Sequence, residues 1–552
     1  MPLADGYVPL AGSDHPHPSD HRYVKATDGN EPVTVTLVLR RRAGAAAKEP
    51  KAFLQASGTR PSREEFALTQ GADPADLQRV EAFAASHGLE VVDTDTARRS
   101  VVVRGRAAAI NAAFSTELRD YDCARGAYRG HDGAVGLPAP LADVVEAVVG
   151  LTNRKVPAQH FSTARRGNSA DPPNTRPVTP QQIAKLYNFP DGDGKGQTIG
   201  LYEMETSGGA AGYAKSDIEK TMQGFGLPMP HIVDVPVDGV NNSGASDGET
   251  GLDITVAGAI APAATIAVYF AGGQTQDILH ALQMMIHPKA GEPQPSVISI
   301  SYGWGPDDPG TDSFSDAEYQ QLTELFKDAA TKTVTVLVSS GDSGAFIESQ
   351  TQAQASYPAS DIWVTACGGT TVGNVSGASF DEYVWNDVGA GGPGASGGGI
   401  SARFAVPDYQ KAVTLPKRAH TGAVGRGLPD IAGNASENSG YNQFIGGQSQ
   451  PVGGTSAVAP LYAGLIARIN GNLGRPTGYL NALLYSLPAA TFRDIGGAPG
   501  PANNSYGQVT GYPAGAGWDA CTGLGSVNGA ALQDQLGGQG ATRREPAGAG
   551  AG

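Results

Sequence analysis

Three short stretches of this sequence carry side chains able to perform acyl transfer. The first is Asp247-Gly248-Glu249-Thr250-Gly251-Leu252-Asp253. Glu249 and Asp253 stand four residues apart, so a helix places both carboxyls on one face. The apolar run at 254–263 predicts that this helix is buried. Buried carboxyls are costly unless hydrogen-bonded, and one beside a hydroxyl can serve as a general base. The second stretch is Gly453-Gly454-Thr455-Ser456-Ala457-Val458-Ala459-Pro460, inside an apolar run that continues to 467. Its glycines permit a tight turn and close approach of another chain. Ser456 then enters a buried helix, whose N-terminal N–H groups favour a developing oxyanion. The third is Ser339-Ser340-Gly341-Asp342-Ser343-Gly344, at the end of a β-rich run. A protonated Asp342 could donate to an oxyanion. Each stretch also has an ordinary structural reading. Ser456 could cap a core helix, Glu249 and Asp253 could form a solvated acidic first turn, and Asp342 could bond its own loop.

The elements that would position these residues begin at Thr179. Short β-rich runs at 199–203, 266–270, 297–301, 334–339 and 363–366 are separated by helical stretches such as 276–286 and 317–331. That alternation predicts an α/β fold, a parallel sheet covered by helices on both faces. Catalytic groups on such sheets gather at the carboxyl ends of the strands. Ahead of it lies a different pattern. Val33, Val35, Leu37 and Leu39 alternate as in a strand. Asp73-Pro74 opens a helix as N-cap and first residue, with a stripe of Leu77, Val80, Phe83 and Ala84 that Gly88 ends. Strands at 100–104 and 116–121 flank a helix at 107–114, and Val144, Val145, Val148 and Val149 close the set. This reads as an α+β domain over 1–156 with a mobile polar N-terminus. Residues 157–178, rich in Pro and Arg, read as an exposed linker open to proteolysis. Residues 179–536 form the α/β domain, and the Gly/Ala-rich 537–552 read as a disordered tail.

A chain of 552 residues has ample core for two domains. Its net charge of −15 is unevenly placed. To Asn168 there are 21 Lys and Arg against 20 Asp and Glu; beyond it there are 18 against 34. An acid-rich, base-poor second part suits acidic surroundings, where its carboxylates neutralise and few cations remain to repel. Nucleic-acid binding is disfavoured. No apolar run is long enough for a membrane span, and no standard signal peptide is visible. Cys123, Cys367 and Cys521 lie too far apart for a metal-ligand spacing or a disulfide framework.

In combination the motifs point further. Gly-Thr-Ser-Ala-x-x-Pro resembles the nucleophile motif shared by subtilisin-like peptidases and sedolisins, the serine-carboxyl peptidases. A subtilisin-like site needs histidine, and none of His231, His280, His287 and His420 stands in a His-Gly-Thr context. Gly-Glu-x-x-x-Asp followed downstream by that serine motif is similar to the sedolisin pattern. The resemblance implies a subtilisin-like α/β fold behind an open antiparallel-sheet propeptide. It implies Ser456 as nucleophile, Glu249 as base, Asp253 as its orienting partner and Asp342 in the oxyanion hole. A base of pKa about 4 matches acidic conditions in which histidine, at about 6.5, is already protonated. Glu203 and Tyr302 match a further carboxyl and aromatic of the network, although the best-known relatives carry Trp in the aromatic place. The segment 396–401 matches a Gly-rich cleft segment. One calcium ion is implied, held by Asp494 and Asp519 side chains and by the carbonyls of Ile495, Gly515 and Gly517, with water completing about six ligands. The expected partners are protein and peptide substrates and the chain's own propeptide, which assists folding and blocks the site until cut. Facing charges on propeptide and enzyme should weaken their attraction in acid. The enzyme is expected to be secreted and monomeric, and Ser356 and Tyr357 to lie near its cleft.

Overall fold

The computed structural model describes residues 3–45, 49–50, 52, 60–156, 162–163, 175–205, 211–305, 307, 314–346, 352–388, 392–496 and 502–541. In the N-terminal part the elements are β1 (Pro32–Leu39), α1 (Pro74–Ser86), β2 (Glu90–Asp95), β3 (Ser100–Arg106), α2 (Ala107–Ala113) and β4 (Val145–Val149). The strands form an antiparallel sheet in the order β2-β3-β1-β4. One face of β1 supplies Val33, Val35, Leu37 and Leu39 to a core with Leu77, Val80, Phe83 and Ile110. Asp73 caps α1 through the Ala75 N–H at 2.9 Å, and Gly88 turns the chain away at φ +67°. The other face of β1 is not solvated. Val38 joins Ala147 and Val149 in a core shared with the C-terminal part.

Two expectations fail here. The N-terminus is built into the sheet structure, because Tyr7–Pro9 pairs with Gly136–Pro138 and Arg22–Ala26 with Arg119–Cys123. These short strands are largely exposed and lack the apolar alternation by which strands are read. The strand expected at 116–121 lies instead at Arg119–Cys123. Ser115 at φ +44° and the Asn111 side chain, which accepts from the Leu118 N–H at 3.0 Å, hold residues 115–118 in a turn.

The C-terminal part contains β5 (Thr198–Met204), β6 (His231–Pro236), α3 (Gly248–Ile260), β7 (Thr265–Ala271), α4 (Thr275–Ile286), β8 (Val297–Ile300), α5 (Asp316–Thr331), β9 (Thr335–Ser339), β10 (Thr365–Ser376), β11 (Ser379–Val384), β12 (Ile431–Asn434) and α6 (Val458–Leu473). The sheet order is β6-β7-β5-β8-β9-β10-β11, with β12 also paired to β10. Every pair is parallel except β10 with β11. The strand expected at 363–366 begins at Thr365 and runs to Ser376. Trp363 belongs to a turn in which its N–H bonds Asp361 Oδ1 at 2.9 Å. Helix α6 packs on α3 and across β5, β8 and β9. A helix at Gly529–Ala541 runs into the stretch expected as a tail, and 542–552 lie outside the described residues. Within the expected linker, Ser162–Thr163 pairs antiparallel with Val452–Gly453, while 157–161 and 164–174 lie outside the described residues. Among the described residues, no helix is long and apolar enough to cross a membrane.

The two parts meet across the β1 face and α5. Arg41 donates to Glu324 at 2.6 Å and to Asp328 at 2.7 Å. Arg98 reaches Glu292 at 3.4 Å and Arg99 reaches Gln321 at 3.2 Å. One pair runs the other way, Lys289 to Asp93 at 3.0 Å. Gly12 accepts from the Ala317 N–H at 3.0 Å, and His15 stands 3.3 Å from the buried Glu318. Burial pushes Glu324 and Asp328 up, but Arg41, joined by Lys327 and Arg99 at Glu324 and by His287 and Arg99 at Asp328, outweighs it and holds both below the usual carboxylate range. A depressed carboxylate contributes stability above its unfolded pKa, near 4, and loses it as pH falls through the folded value. These pairs therefore hold the parts together from neutral pH to about pH 4 and weaken only below it.

Removing one partner of a buried ion pair costs about 3–5 kcal/mol. Arg41 is partly exposed, so Arg41→Ala should destabilise the full chain by about 3 kcal/mol, read as a lower urea midpoint of its first unfolding transition. Lys411→Ala, which breaks the exposed pair with Asp408, should cost less than about 1 kcal/mol. Equal effects of the two would refute the anchoring role of Arg41.

Candidate active site

Gly454 adopts φ +104°, open to glycine, and Thr455–Ala457 then form a single 3-10 turn that leads into α6. The turn buries Ser456 completely at the helix entrance. The Ser456 hydroxyl donates to the Ser301 carbonyl at 3.3 Å. The neighbouring Thr455 ties this turn to the end of β9: its N–H and hydroxyl donate to Asp342 Oδ1 at 2.7 and 2.8 Å, while its Oγ accepts from the Gly341 N–H at 3.0 Å.

Helix α3 starts under Asp247, whose Oδ1 accepts from the Glu249 N–H at 3.2 Å. It is buried on every side, and Glu249 and Asp253 have no exposure. Glu203, at the end of β5, is equally buried. Hydroxyls serve these carboxyls one oxygen at a time. Ser301 donates to Asp253 Oδ2 at 2.7 Å. Tyr302 and Thr250 donate to Glu203 Oε2 at 2.9 and 3.1 Å. The remaining oxygens, Glu203 Oε1, Asp253 Oδ1 and both of Glu249, are buried without a hydrogen-bond partner among the described residues.

Burial pushes all three carboxyls well above the usual range. The negative charge of neighbours adds to it: Asp253 and Glu203 act on Glu249, and Asp253 and Asp247 on Glu203. Polar neighbours pull the other way: Ser301 and then Glu203 hold Asp253 down, and the Ser456 hydroxyl, which stands beside Glu249 although its own bond is to the Ser301 carbonyl, holds Glu249 down. Carboxyls this close cannot all ionise, so protons belong to the cluster and not to one residue. Such a group can take a proton from Ser456 and return it. Three histidines of the peptidase part are engaged elsewhere, and the fourth, His420, is exposed while Ser456 is fully buried. His280 bonds Asp238 at 2.7 Å and Thr36 at 2.8 Å, His287 bonds Asp328 at 3.0 Å, and His231 bonds Thr265 at 3.2 Å.

Asp342 follows β9 across Gly341, which adopts φ +118°. Part of Asp342 reaches the surface, but Oδ2 is buried and without a hydrogen-bond partner among the described residues. Burial raises this carboxyl to about 7, against the pull of the two Thr455 donors. Below that pH it carries a proton, and Oδ1 is committed as acceptor, so Oδ2 is the oxygen placed to donate. The Gly-rich segment packs close by: the Gly397 N–H bonds the Gly341 carbonyl at 2.6 Å, and a Cβ at Gly397 would meet the Ser340 carbonyl oxygen.

Sequence alone singled out Ser456, Glu249, Asp253, Asp342, Glu203 and Tyr302, and the structure brings them to the carboxyl ends of β5, β8 and β9. It missed Ser301, Thr250 and Thr455, although each lies inside a motif already noticed. Tyr357, expected near the cleft, is wholly buried among Trp304, Phe314, Tyr319 and Phe404. Its backbone exchanges hydrogen bonds with Trp304 and Gly305, which turns the ring into the core. Asp494 and Asp519 grip one loop from two sides: the Gly517 N–H bonds Asp494 at 2.8 Å, and the Gly515 N–H bonds Asp519 at 3.1 Å.

Residues 19–154 match the family model described as Pro-kumamolisin, activation domain, and residues 239–478 match the subtilase family. The chain is 40% identical over 525 residues to kumamolisin of Bacillus sp. (strain MN-32), covering 92% of each. It is 27% identical over 488 residues to sedolisin of Pseudomonas sp. (strain 101), covering 84% of this chain and 80% of that one. Human tripeptidyl-peptidase 1 is 32% identical over 386 residues, 65% of this chain and 64% of its own. The solved structure of Pseudomonas sedolisin, a serine-carboxyl proteinase complexed with two molecules of pseudo-iodotyrostatin, superposes with a TM-score of 0.55 at 26% identity, covering 66% of this chain and 98% of that one. With a serine at a buried helix entrance, carboxyls where a histidine would otherwise serve, and an activation domain still attached, the chain belongs to the sedolisin family of serine-type peptidases, on the kumamolisin branch.

Proposed function

We propose that this peptidase is an acid-acting endopeptidase made as a self-processing zymogen. The observation that carries the reading is the cluster of Glu203, Glu249 and Asp253, buried against Ser456, while His231, His280 and His287 bond elsewhere and His420 is exposed. In this mechanism Ser456 Oγ attacks the substrate carbonyl while Glu249 takes its proton, with Asp253 holding Glu249 in place. The carbonyl electron pair moves to oxygen, and the protonated Asp342 donates to it from Oδ2. Glu249 then protonates the leaving nitrogen as the C–N bond breaks, and water releases the acyl group by the same steps. The chemistry needs Asp342 protonated, so activity falls as pH rises through about 7. Such a catalyst belongs outside the cytosol, on protein and peptide substrates.

The linker supports self-processing. Ser162 pairs with Gly453, three residues before the nucleophile, so this part of the linker lies along the strand that leads to Ser456. A calcium ion is part of the same reading. Asp494 and Asp519 both bond N–H groups of the 515–517 loop, and their carboxylates, with the carbonyls of Ile495, Gly515 and Gly517, would supply the hard oxygen donors that calcium takes. Burial raises Asp519, and a bound cation would offset that by favouring the charged form. Bound there, calcium would neutralise the two carboxylates and pin the loop.

Incubated at pH 4, the wild-type chain should shorten at 157–178 and then digest casein, whereas Ser456→Ala should do neither. If both stay full-length and inactive from pH 2 to 8 with calcium present, the enzyme reading fails. Asp342→Ala should lower kcat by about 10²–10³-fold, the cost of one oxyanion donor. Asp342→Asn keeps a donor that cannot ionise, so its basic limb should lie at higher pH than that of the wild type. Chelation should lower Tm by several degrees, with calcium restoring it and magnesium failing to. An unchanged Tm in Asp519→Ala with and without calcium, matched by the same indifference in the wild type, would remove the ion from the scheme.

A further inference from the structure

Ser301 joins the nucleophile to the carboxyl cluster twice. Its carbonyl accepts from the Ser456 hydroxyl at 3.3 Å, and its own hydroxyl donates to Asp253 Oδ2 at 2.7 Å, with the Ser456 carbonyl a longer alternative at 3.3 Å. The next residue, Tyr302, does the same for Glu203 Oε2. A carboxyl that gains a proton must carry it on one of two oxygens. An oxygen already accepting a short bond from a hydroxyl is the poorer place, because that hydroxyl would have to turn away. Asp253 Oδ1, buried and without a partner among the described residues, is the better one.

We propose that Ser301 is a positioning residue: its hydroxyl fixes Asp253 Oδ2 as an acceptor and reserves Oδ1 for the proton that moves through the carboxyl cluster. This rests on the peptidase mechanism above and adds an order to it. When Ser456 Oγ bonds the substrate carbon, its proton passes to Glu249 and is shared with Asp253 Oδ1. When the C–N bond breaks, the same proton goes from Glu249 to the leaving nitrogen, which keeps the bonding pair. Ser301 gives up no proton and forms no bond to substrate. Among the described residues the charged groups that bear on Asp253 are the carboxyls of Glu203, Asp247 and Glu249, and the Tyr302 phenol lies beside them. Ser301, first, and then the Glu203 carboxyl favour the ionised form of Asp253, which burial and the charge of Asp247 oppose.

The test uses the full chain, activated in acid, on a chromogenic peptide over a range of pH. Ser301→Ala should lower kcat by about 10–100-fold, the worth of a hydrogen bond to a charged group, with KM within about threefold. Its acid limb should move to higher pH, since a lost donor lets the cluster hold its protons longer. Ser301→Thr keeps the hydroxyl and should restore both kcat and limb. Ser301→Cys, a weak donor of similar size, should fall between them, and it carries the test if the alanine variant does not fold. An unmoved limb in the folded Ala or Cys variant overturns the proposal, as does a loss of kcat that Thr fails to rescue. Ser456→Ala as active as wild type would instead overturn the mechanism itself, which keeps the two failures apart.

Discussion

Three carboxyl groups shut away from water impose the constraint on which the site is built. Glu203, Glu249 and Asp253 have no exposure, and among the described residues no cation bears on them that would let them all ionise. Ordinary packing would discard them, because an unpaired charge in an apolar interior costs several kcal/mol. They persist by sharing protons and by borrowing single donors from Ser301, Tyr302 and Thr250. The fold supplies the enclosure. Helix α3 is buried on all sides, α6 lies across the middle of the sheet, and strands β5, β8 and β9 bring Glu203, Ser301 and Asp342 to one edge. Take away the burial and these groups become ordinary surface acids, with neither the raised proton affinity nor the fixed geometry that the enclosure gives them.

The same chain uses carboxyls in the opposite sense where its two parts meet. Glu324 and Asp328 are held down by Arg41, whereas the cleft carboxyls are pushed up by burial. The cleft group gains from acid and the docking group loses to it. Between them lies a range, from about pH 7 down to about pH 4, in which Asp342 acquires its proton while the prodomain is still attached. Charge complementarity between a near-neutral prodomain and an acidic enzyme is local: Arg41 meets Glu324 and Asp328, and Arg98 meets Glu292. It is not a field effect of the whole surface, since Lys289 and Asp93 reverse it locally.

Much of this is visible in the residues. The four-residue spacing of Glu249 and Asp253, and the apolar run behind it, mark a buried helix with both carboxyls on one side. The glycines before Ser456 mark the turn, and β5, β7, β8 and β9 stand out as short apolar runs. What stays hidden has a common cause. Ser301 and Thr250 are small hydroxyl residues whose meaning depends on what the fold places opposite them, and no spacing rule ties them to Asp253 or Glu203. The exposed pairing strands at the N-terminus carry no alternation. Tyr357 looks like a cleft residue, yet backbone pairing with Trp304 and Gly305 turns its ring inward.

The joint between the two parts has one more consequence. Val38, Ala147 and Val149 share a core with the peptidase, and Arg41 spans the boundary, so the prodomain is held by a specific surface. While one chain connects the parts, they meet at an effective concentration on the order of millimolar. After any cut within 157–178 the same surfaces meet only at the concentration of the solution. No contact has to change for the prodomain to lose its hold. Dilution is enough to part the two, and they stay together longest where the chain is most crowded.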